Sequence, residues 1–147
     1  MNTDNKYLLL WSAIFSLAMS ELATAHDISG SLGNSSSSID QYQIHCFDDN
    51  TGPNARLEIS VQDNSPKVAA KVSLQVAVNN TAFNTTDAVD GDASFSPELS
   101  VKGDADEYYY VTVDKTAAGE ENYLIEYHCM TSDNQHTGTD IFQLTDQ

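Results

Sequence analysis

The sequence has little positive charge. Only 6 Lys and Arg residues stand against 22 Asp and Glu residues in a chain of 147, which gives a formal net charge of −16 at pH 7. A protein that binds a nucleic-acid backbone or an anionic membrane surface needs clustered Lys and Arg. The composition therefore argues against a nucleic-acid partner and against electrostatic docking on such a membrane.

The chain also lacks the motifs of common enzyme classes. It contains no G-x-S-x-G sequence, no H-E-x-x-H sequence and no glycine-rich phosphate loop. Ser, His and Asp are all present, but most secreted domains contain them. The sequence therefore predicts a protein that is not an enzyme, and the enzyme class that comes nearest to fitting is a copper-dependent oxidase.

Long apolar runs are missing except for one near the start. Residues 7–19, YLLLWSAIFSLAM, follow Lys6 and precede the small-residue triplet Ala23-Thr24-Ala25. As a helix this run would span about 20 Å, which is short of the roughly 30 Å hydrocarbon core of a bilayer. Residues 1–25 are therefore predicted to be a cleavable signal peptide. The mature protein is expected to be periplasmic or secreted, with no membrane span.

Cysteine is scarce, and no C-x-x-C pair is present. Cys46 and Cys129 are the only two cysteines. In the oxidising compartment that export implies, two thiols are most simply explained as one intramolecular disulfide. The alternative is a cysteine-ligated metal, which the missing C-x-x-C pair disfavours.

Helical periodicity is missing after the signal peptide, and an alternation of apolar and polar residues replaces it. Residues 26–38 are rich in Gly and Ser and are predicted to form a flexible N-terminal arm. Residues 39–147 are predicted to form an antiparallel two-sheet β-sandwich of seven to eight strands. The alternating runs are 42–46, 57–61, 68–78, 95–101, 109–113, 123–129 and 141–144.

The pattern resembles an immunoglobulin-like domain. The strand count fits, Cys46 and Cys129 would link an early strand to a late one, and Tyr127 stands two residues before the second cysteine, where that fold has its tyrosine corner. The sequence departs from the pattern because it lacks a core tryptophan and has a longer interval between the cysteines. The resemblance therefore implies an architecture and not membership of a family.

Four histidines are present, and His26 would be the first residue of the mature chain. Its α-amine and a ring nitrogen would then chelate one metal ion in a geometry that suits Cu(II). His128 and His136 are the predicted further ligands, with His45 or an acidic residue as alternatives. A terminal-histidine chelate is similar to that of copper-dependent polysaccharide oxygenases and small periplasmic copper carriers. The competing interpretation is that these histidines simply face solvent.

Acidic loops predict a second kind of metal site. Asp87, Asp90 and Asp92 lie together in the sequence TTDAVDGD. Loop carboxylates at the end of a sandwich supply the oxygen ligands that Ca²⁺ prefers, although the spacing is not that of an EF-hand. The competing interpretation is that so acidic a chain forms carboxylate clusters without any metal.

Three consecutive tyrosines predict a recognition surface. Side chains alternate along a strand, so Tyr109 is expected in the core and Tyr108 and Tyr110 side by side on an outer face. Exposed paired tyrosines favour binding of a protein or a carbohydrate. Tyrosine is also an ordinary strand former, which is the alternative explanation.

These features together predict an exported, acidic β-sandwich that acts as a non-enzymatic binding or surface-associated module. The alternative is a periplasmic or secreted copper-binding protein that uses His26. The first function requires no cofactor, and copper and calcium are the candidate ions.

Overall fold

The computed structural model describes residues 26–64, 66 and 70–147, so the predicted signal peptide lies outside the described residues. This part of the chain contains no helix, and accordingly none long and apolar enough to cross a membrane. It forms nine strands: β1 (His26–Leu32), β2 (Asp40–Phe47), β3 (Arg56–Asp63), β4 (Val72–Val78), β5 (Thr81–Thr86), β6 (Leu99–Lys102), β7 (Glu107–Lys115), β8 (Glu121–Met130) and β9 (Gly138–Thr145).

The strands form two antiparallel sheets. The first sheet has the order β1-β8-β3-β6, and the second has the order β5-β4-β7-β2-β9. Alternate side chains of both sheets enter one hydrophobic core, which includes Tyr42 and Ile44 from β2 and Tyr123 and Ile125 from β8. The predicted all-β, two-sheet, sandwich-like architecture is confirmed. The predicted count of seven to eight strands is wrong, because the described residues form nine.

The two strands beyond the seven alternating runs are polar edge strands. β5 crosses a region dominated by Asn, Thr and Asp, and β1 occupies the first half of the segment predicted to be a flexible arm. β1 pairs with β8 along its whole length, and Tyr123 of β8 fills the space that a side chain at Gly30 would need. A strand at a sheet edge needs only one paired neighbour and a few inward side chains, so its sequence carries a weak strand signal.

The predicted disulfide between Cys46 and Cys129 is confirmed. It joins β2 of the second sheet to β8 of the first, with a Cα–Cα distance of 5.4 Å. Because successive side chains of a strand point to opposite faces, His45 and His128 point away from this bond on opposite outer faces. These two histidines therefore cannot share an ion.

Strand β8 organises both of the sites described below. It lies inside the first sheet, with β1 on one side and β3 on the other. At about 3.3 Å per residue, its two ends are roughly 30 Å apart. We call the end at Met130 the histidine end and the end at Glu121 the acidic end.

Candidate metal centre

Three histidines meet at the histidine end of β8. His26 begins β1 opposite Tyr127, His128 lies on β8, and His136 follows the next turn and bridges to Met130. One ring nitrogen from each histidine lies within 4.8 Å of the others. The same three histidines are the copper ligands predicted from the sequence, and we call them the histidine cluster.

The turn after β8 positions His136. The backbone N–H of Thr131 donates to the carbonyl of Gln135 (2.9 Å), and the N–H of Gln135 donates to Oγ1 of Thr131 (3.1 Å). Asn134 adopts a left-handed conformation at φ 61°, which asparagine tolerates better than most residues. The turn thereby folds back, and the ring centroids of His128 and His136 lie 4.6 Å apart.

The cluster is open to solvent on one side. His26 is exposed, His136 is half-buried, and the side chain of His128 is 15% exposed. The ring of His26 also lies against that of Tyr127, with centroids 5.9 Å apart. An ion at this position would be held by ordered side chains and would still be reachable from water.

The surroundings of His136 favour its neutral ring. Burial lowers the pKa of His136, and the neighbouring rings of His128 and His26 lower it further. Nε2 of His128 lies 3.4 Å from Oε1 of Glu126, while Nδ1 is buried and has no hydrogen-bond partner. A proton on Nε2, facing the carboxylate, would leave the lone pair of Nδ1 for an ion.

A second group with metal-binding potential lies at the acidic end of β8. Asp63 ends β3, Glu121 begins β8, and Asp90 lies in the loop after β5; one carboxylate oxygen from each lies within 4.8 Å of the others. Asp63 and Glu121 are fully buried, and Asp90 is half-buried. We call these three residues the acidic cluster.

The structure does not bring the predicted calcium ligands Asp87, Asp90 and Asp92 together in this way. Oδ2 of Asp87 accepts the backbone N–H of Asp63 at 2.8 Å, and Oδ1 of Asp92 accepts the N–H of Ser94 at 2.7 Å. Both carboxylates therefore bind backbone N–H groups. Only Asp90 of the predicted set belongs to the acidic cluster. Asp63 and Glu121 join it through the register of β3 and β8, and no local sequence motif predicts that register.

Two carboxyl groups of the acidic cluster, those of Asp63 and Glu121, have raised pKa values. Burial raises the pKa of Asp63 to about 6, and repulsion from Asp90 raises it too, while the hydrogen bond from the N–H of Val72 opposes the shift. Burial raises the pKa of Glu121 to about 7, with repulsion from Asp63 and Asp90 adding to it and the charge of Lys115 opposing it. Each shift records the cost of placing negative charges together out of water.

Exposed aromatic side chains lie on the outer face of the second sheet. Tyr108, Tyr110 and Phe142 are 45%, 51% and 52% exposed. Gln43 on β2 is the register partner of both Tyr110 on β7 and Phe142 on β9, so these three residues form one row. His45 stacks on Tyr108 at 4.1 Å and lies on this face, away from the histidine cluster. We call Tyr108, Tyr110 and Phe142 the aromatic face.

No family model, no curated protein and no solved structure matches the chain. The function must therefore be inferred from the chemistry of the described residues. They offer three candidate surfaces: the histidine cluster, the acidic cluster and the aromatic face.

Proposed function

We propose that the mature protein is an exported copper-binding protein that holds Cu(II) at the histidine cluster. The supporting observation is that three ring nitrogens from separate segments of the chain lie within 4.8 Å of one another. Nitrogens that each lie about 2.0–2.1 Å from one ion are at most about 4.2 Å apart. Small side-chain rotations would therefore close the cluster around an ion.

The donor set favours copper over other divalent ions. All three donors are imidazole nitrogens, and Cu(II) binds nitrogen ligands more tightly than the other divalent ions of the first transition row. If the signal peptide is removed after Ala25, the α-amine of His26 adds a fourth nitrogen, and four nitrogens suit the tetragonal geometry of Cu(II). Zn(II), which prefers a tetrahedral arrangement, is the main competitor.

Carriage or storage of copper is the role we propose, in the periplasm or outside the cell. The exposed His26 leaves the ion accessible from solvent, which suits transfer to and from a partner. Glu126, beside Nε2 of His128, would orient the ring as an outer carboxylate does in many metal sites. The immunoglobulin-like architecture is part of this proposal, and the disulfide between the sheets supports it.

Titration of the exported protein with Cu(II), followed by calorimetry and electron paramagnetic resonance, tests the proposal. His128→Ala should weaken binding at least about tenfold because it removes one of the ring ligands. His45→Ala is the matched control, since His45 lies on the other sheet, and it should bind as the parent does. Equal affinity for the parent and His128→Ala, or tighter binding of Zn(II) than of Cu(II), would refute the copper site.

A chain extended by one residue ahead of His26 tests the amine ligand separately. N-terminal sequencing of the exported protein should first show that His26 is the initial residue. The extension should then weaken Cu(II) binding, because it converts the amine into an amide. If the affinity is unchanged, the amine is not a ligand and the ring nitrogens alone hold the ion.

A second candidate function is recognition of a protein or carbohydrate by the aromatic face. The row formed by Tyr110, Gln43 and Phe142 spans three adjacent strands, or about 10 Å, so it presents two aromatic side chains to one ligand. Aromatic side chains bury large areas on binding at a small cost in conformational entropy. Tyr110→Ala and Phe142→Ala should each reduce retention on an insoluble polysaccharide, whereas His128→Ala should not. Unchanged retention for both aromatic variants would refute this function.

A further inference from the structure

We propose that the acidic cluster of Asp63, Asp90 and Glu121 is a site for a hard divalent cation, with Ca²⁺ as the preferred ion. The main evidence is a set of buried carboxylate oxygens that have no hydrogen-bond partner in the described part of the chain. These oxygens are Oδ1 of Asp63, Oδ1 of Asp90, and Oε1 and Oε2 of Glu121. They belong to the three side chains that converge within 4.8 Å.

Unpaired carboxylates are costly in such a place. Buried polar groups in native proteins are almost always hydrogen-bonded, and a buried charge needs a partner of opposite sign. The charge of Lys115 favours the ionised form of Glu121, but its Nζ donates to the carbonyl oxygens of Gly33 and Gly119 and makes no described ion pair with the cluster. A bound cation would supply the missing positive partner.

Hydrogen bonds also hold the acidic cluster in place without using the unpaired carboxylate oxygens. Oδ2 of Asp63 accepts the backbone N–H of Val72 at 2.9 Å, and Oδ1 remains available. The N–H of Gly91 donates to the carbonyl of Asp63 at 2.9 Å, with φ of Gly91 at 66°, so the loop that carries Asp90 is fastened over the end of β3. A pre-positioned set of ligands lowers the conformational cost of binding an ion.

The chemistry of the donors selects the class of ion. Every free donor is a carboxylate oxygen, the ligand type that hard cations such as Ca²⁺ and Mg²⁺ prefer. Ca²⁺ takes six to eight oxygens in adaptable geometry, so about four from the protein and the rest from water would satisfy it. Mg²⁺ demands a stricter octahedron and keeps more of its water, so it should bind more weakly. The half-buried Asp90 provides the side from which an ion and its waters can enter.

The other possible occupant is a proton shared between Asp63 and Glu121, whose side chains would then hydrogen-bond to each other. A shared proton and a bound cation predict different effects of added Ca²⁺ on the stability of the fold. With the cation, added Ca²⁺ should stabilise the fold at neutral pH. With the proton, added Ca²⁺ should do no more than any salt of equal ionic strength.

Thermal unfolding and calorimetry of the exported protein decide between them. Millimolar CaCl₂ should raise the melting temperature by about 5 °C or more beyond NaCl of equal ionic strength. Glu121→Gln and Asp90→Asn should lose this rise and bind Ca²⁺ at least tenfold more weakly. Asp92→Asn is the matched control, because it makes the same change of charge in the same loop outside the cluster, and it should keep the rise.

Two outcomes would overturn the cation site. One is a parent protein whose melting temperature responds equally to CaCl₂ and NaCl; the other is a calcium-specific rise that persists in Glu121→Gln and Asp90→Asn. Calorimetry measures Ca²⁺ binding directly and covers the case in which a variant is too unstable to melt cleanly. Copper titration of Glu121→Gln should match the parent, because the histidine cluster lies at the other end of β8. Failure of the calcium site and failure of the copper site are therefore separate results.

Discussion

The two ends of strand β8 carry the same number of potential metal ligands in opposite surroundings. At the histidine end the donors are imidazoles that include the exposed His26, and the pKa of His136 is lowered. At the acidic end the donors are carboxylates, two of them fully buried, and the pKa values of Asp63 and Glu121 are raised. Imidazole rings at a partly exposed site carry little destabilising charge in the absence of an ion, whereas buried carboxylates that lie together repel one another. An ion at the acidic end should therefore also relieve a destabilising repulsion, whereas an ion at the histidine end should stabilise the fold only through its own binding free energy.

The largest effect on stability is expected from removal of the disulfide, which lies next to the histidine end of β8. Replacing Cys46 and Cys129 by Ala should lower the free energy of unfolding by about 2–5 kcal/mol, because the unfolded chain loses the constraint of an 83-residue separation. Cys129 directly follows His128, so Cu(II) affinity should fall more than Ca²⁺ affinity. Urea unfolding and calorimetry measure both quantities. An equal loss of affinity at the two ends would show that they are not independent.

The acidic end should make stability depend on pH. The folded-state pKa values of Asp63 (about 6) and Glu121 (about 7) lie above the ordinary values of 3.8 and 4.5. The folded state therefore binds these protons more tightly, so their stabilising contribution is fully present below about pH 4 and is lost as the pH rises through 6 to 7.

Glu121→Gln tests this contribution, because the amide cannot ionise. Without calcium, the variant should be more stable than the parent above pH 7, by on the order of 2 kcal/mol, and the difference should shrink at lower pH. Urea unfolding at a series of pH values gives the comparison. A difference that does not change with pH would mean that Glu121 ionises normally in the folded protein.

A smaller effect is expected from Glu126 at the histidine end. Glu126→Gln should weaken Cu(II) binding about tenfold, because the carboxylate no longer attracts the proton on Nε2 of His128. Stability without metal should change little, since Glu126 is partly exposed. Glu120→Gln, an exposed change of equal charge, is the control. Equal copper affinity in the two variants would leave Glu126 with no part in the site.

The smallest effect is expected from the charge of the whole molecule. A net charge of −16 on a small domain is self-repulsive, so NaCl should raise the melting temperature modestly by screening. Glu121→Gln should keep most of this response, because many exposed carboxylates contribute to it. A melting temperature that does not change with NaCl would show that the surface charges are already neutralised.

The histidine cluster could be predicted in part from the sequence. His26 was identified from the expected cleavage site, and His128 and His136 from their closeness in the sequence, where a strand meets a turn. The acidic cluster could not be predicted, because Asp63 and Glu121 are 58 positions apart in the printed sequence and neither belongs to a motif. Their meeting depends on the register in which Asp63 pairs with Tyr123.

The all-β class, the alternation that fills the core and the pairing of Cys46 with Cys129 could all be predicted from the amino-acid sequence. These follow from local periodicity and from the presence of two cysteines only. The pairing of the polar segment at His26 as an edge strand and the convergence of the buried carboxylates are visible in the folded chain alone. The physical reason is that edge pairing and strand register depend on contacts between distant segments, which leave no periodic trace in either segment alone.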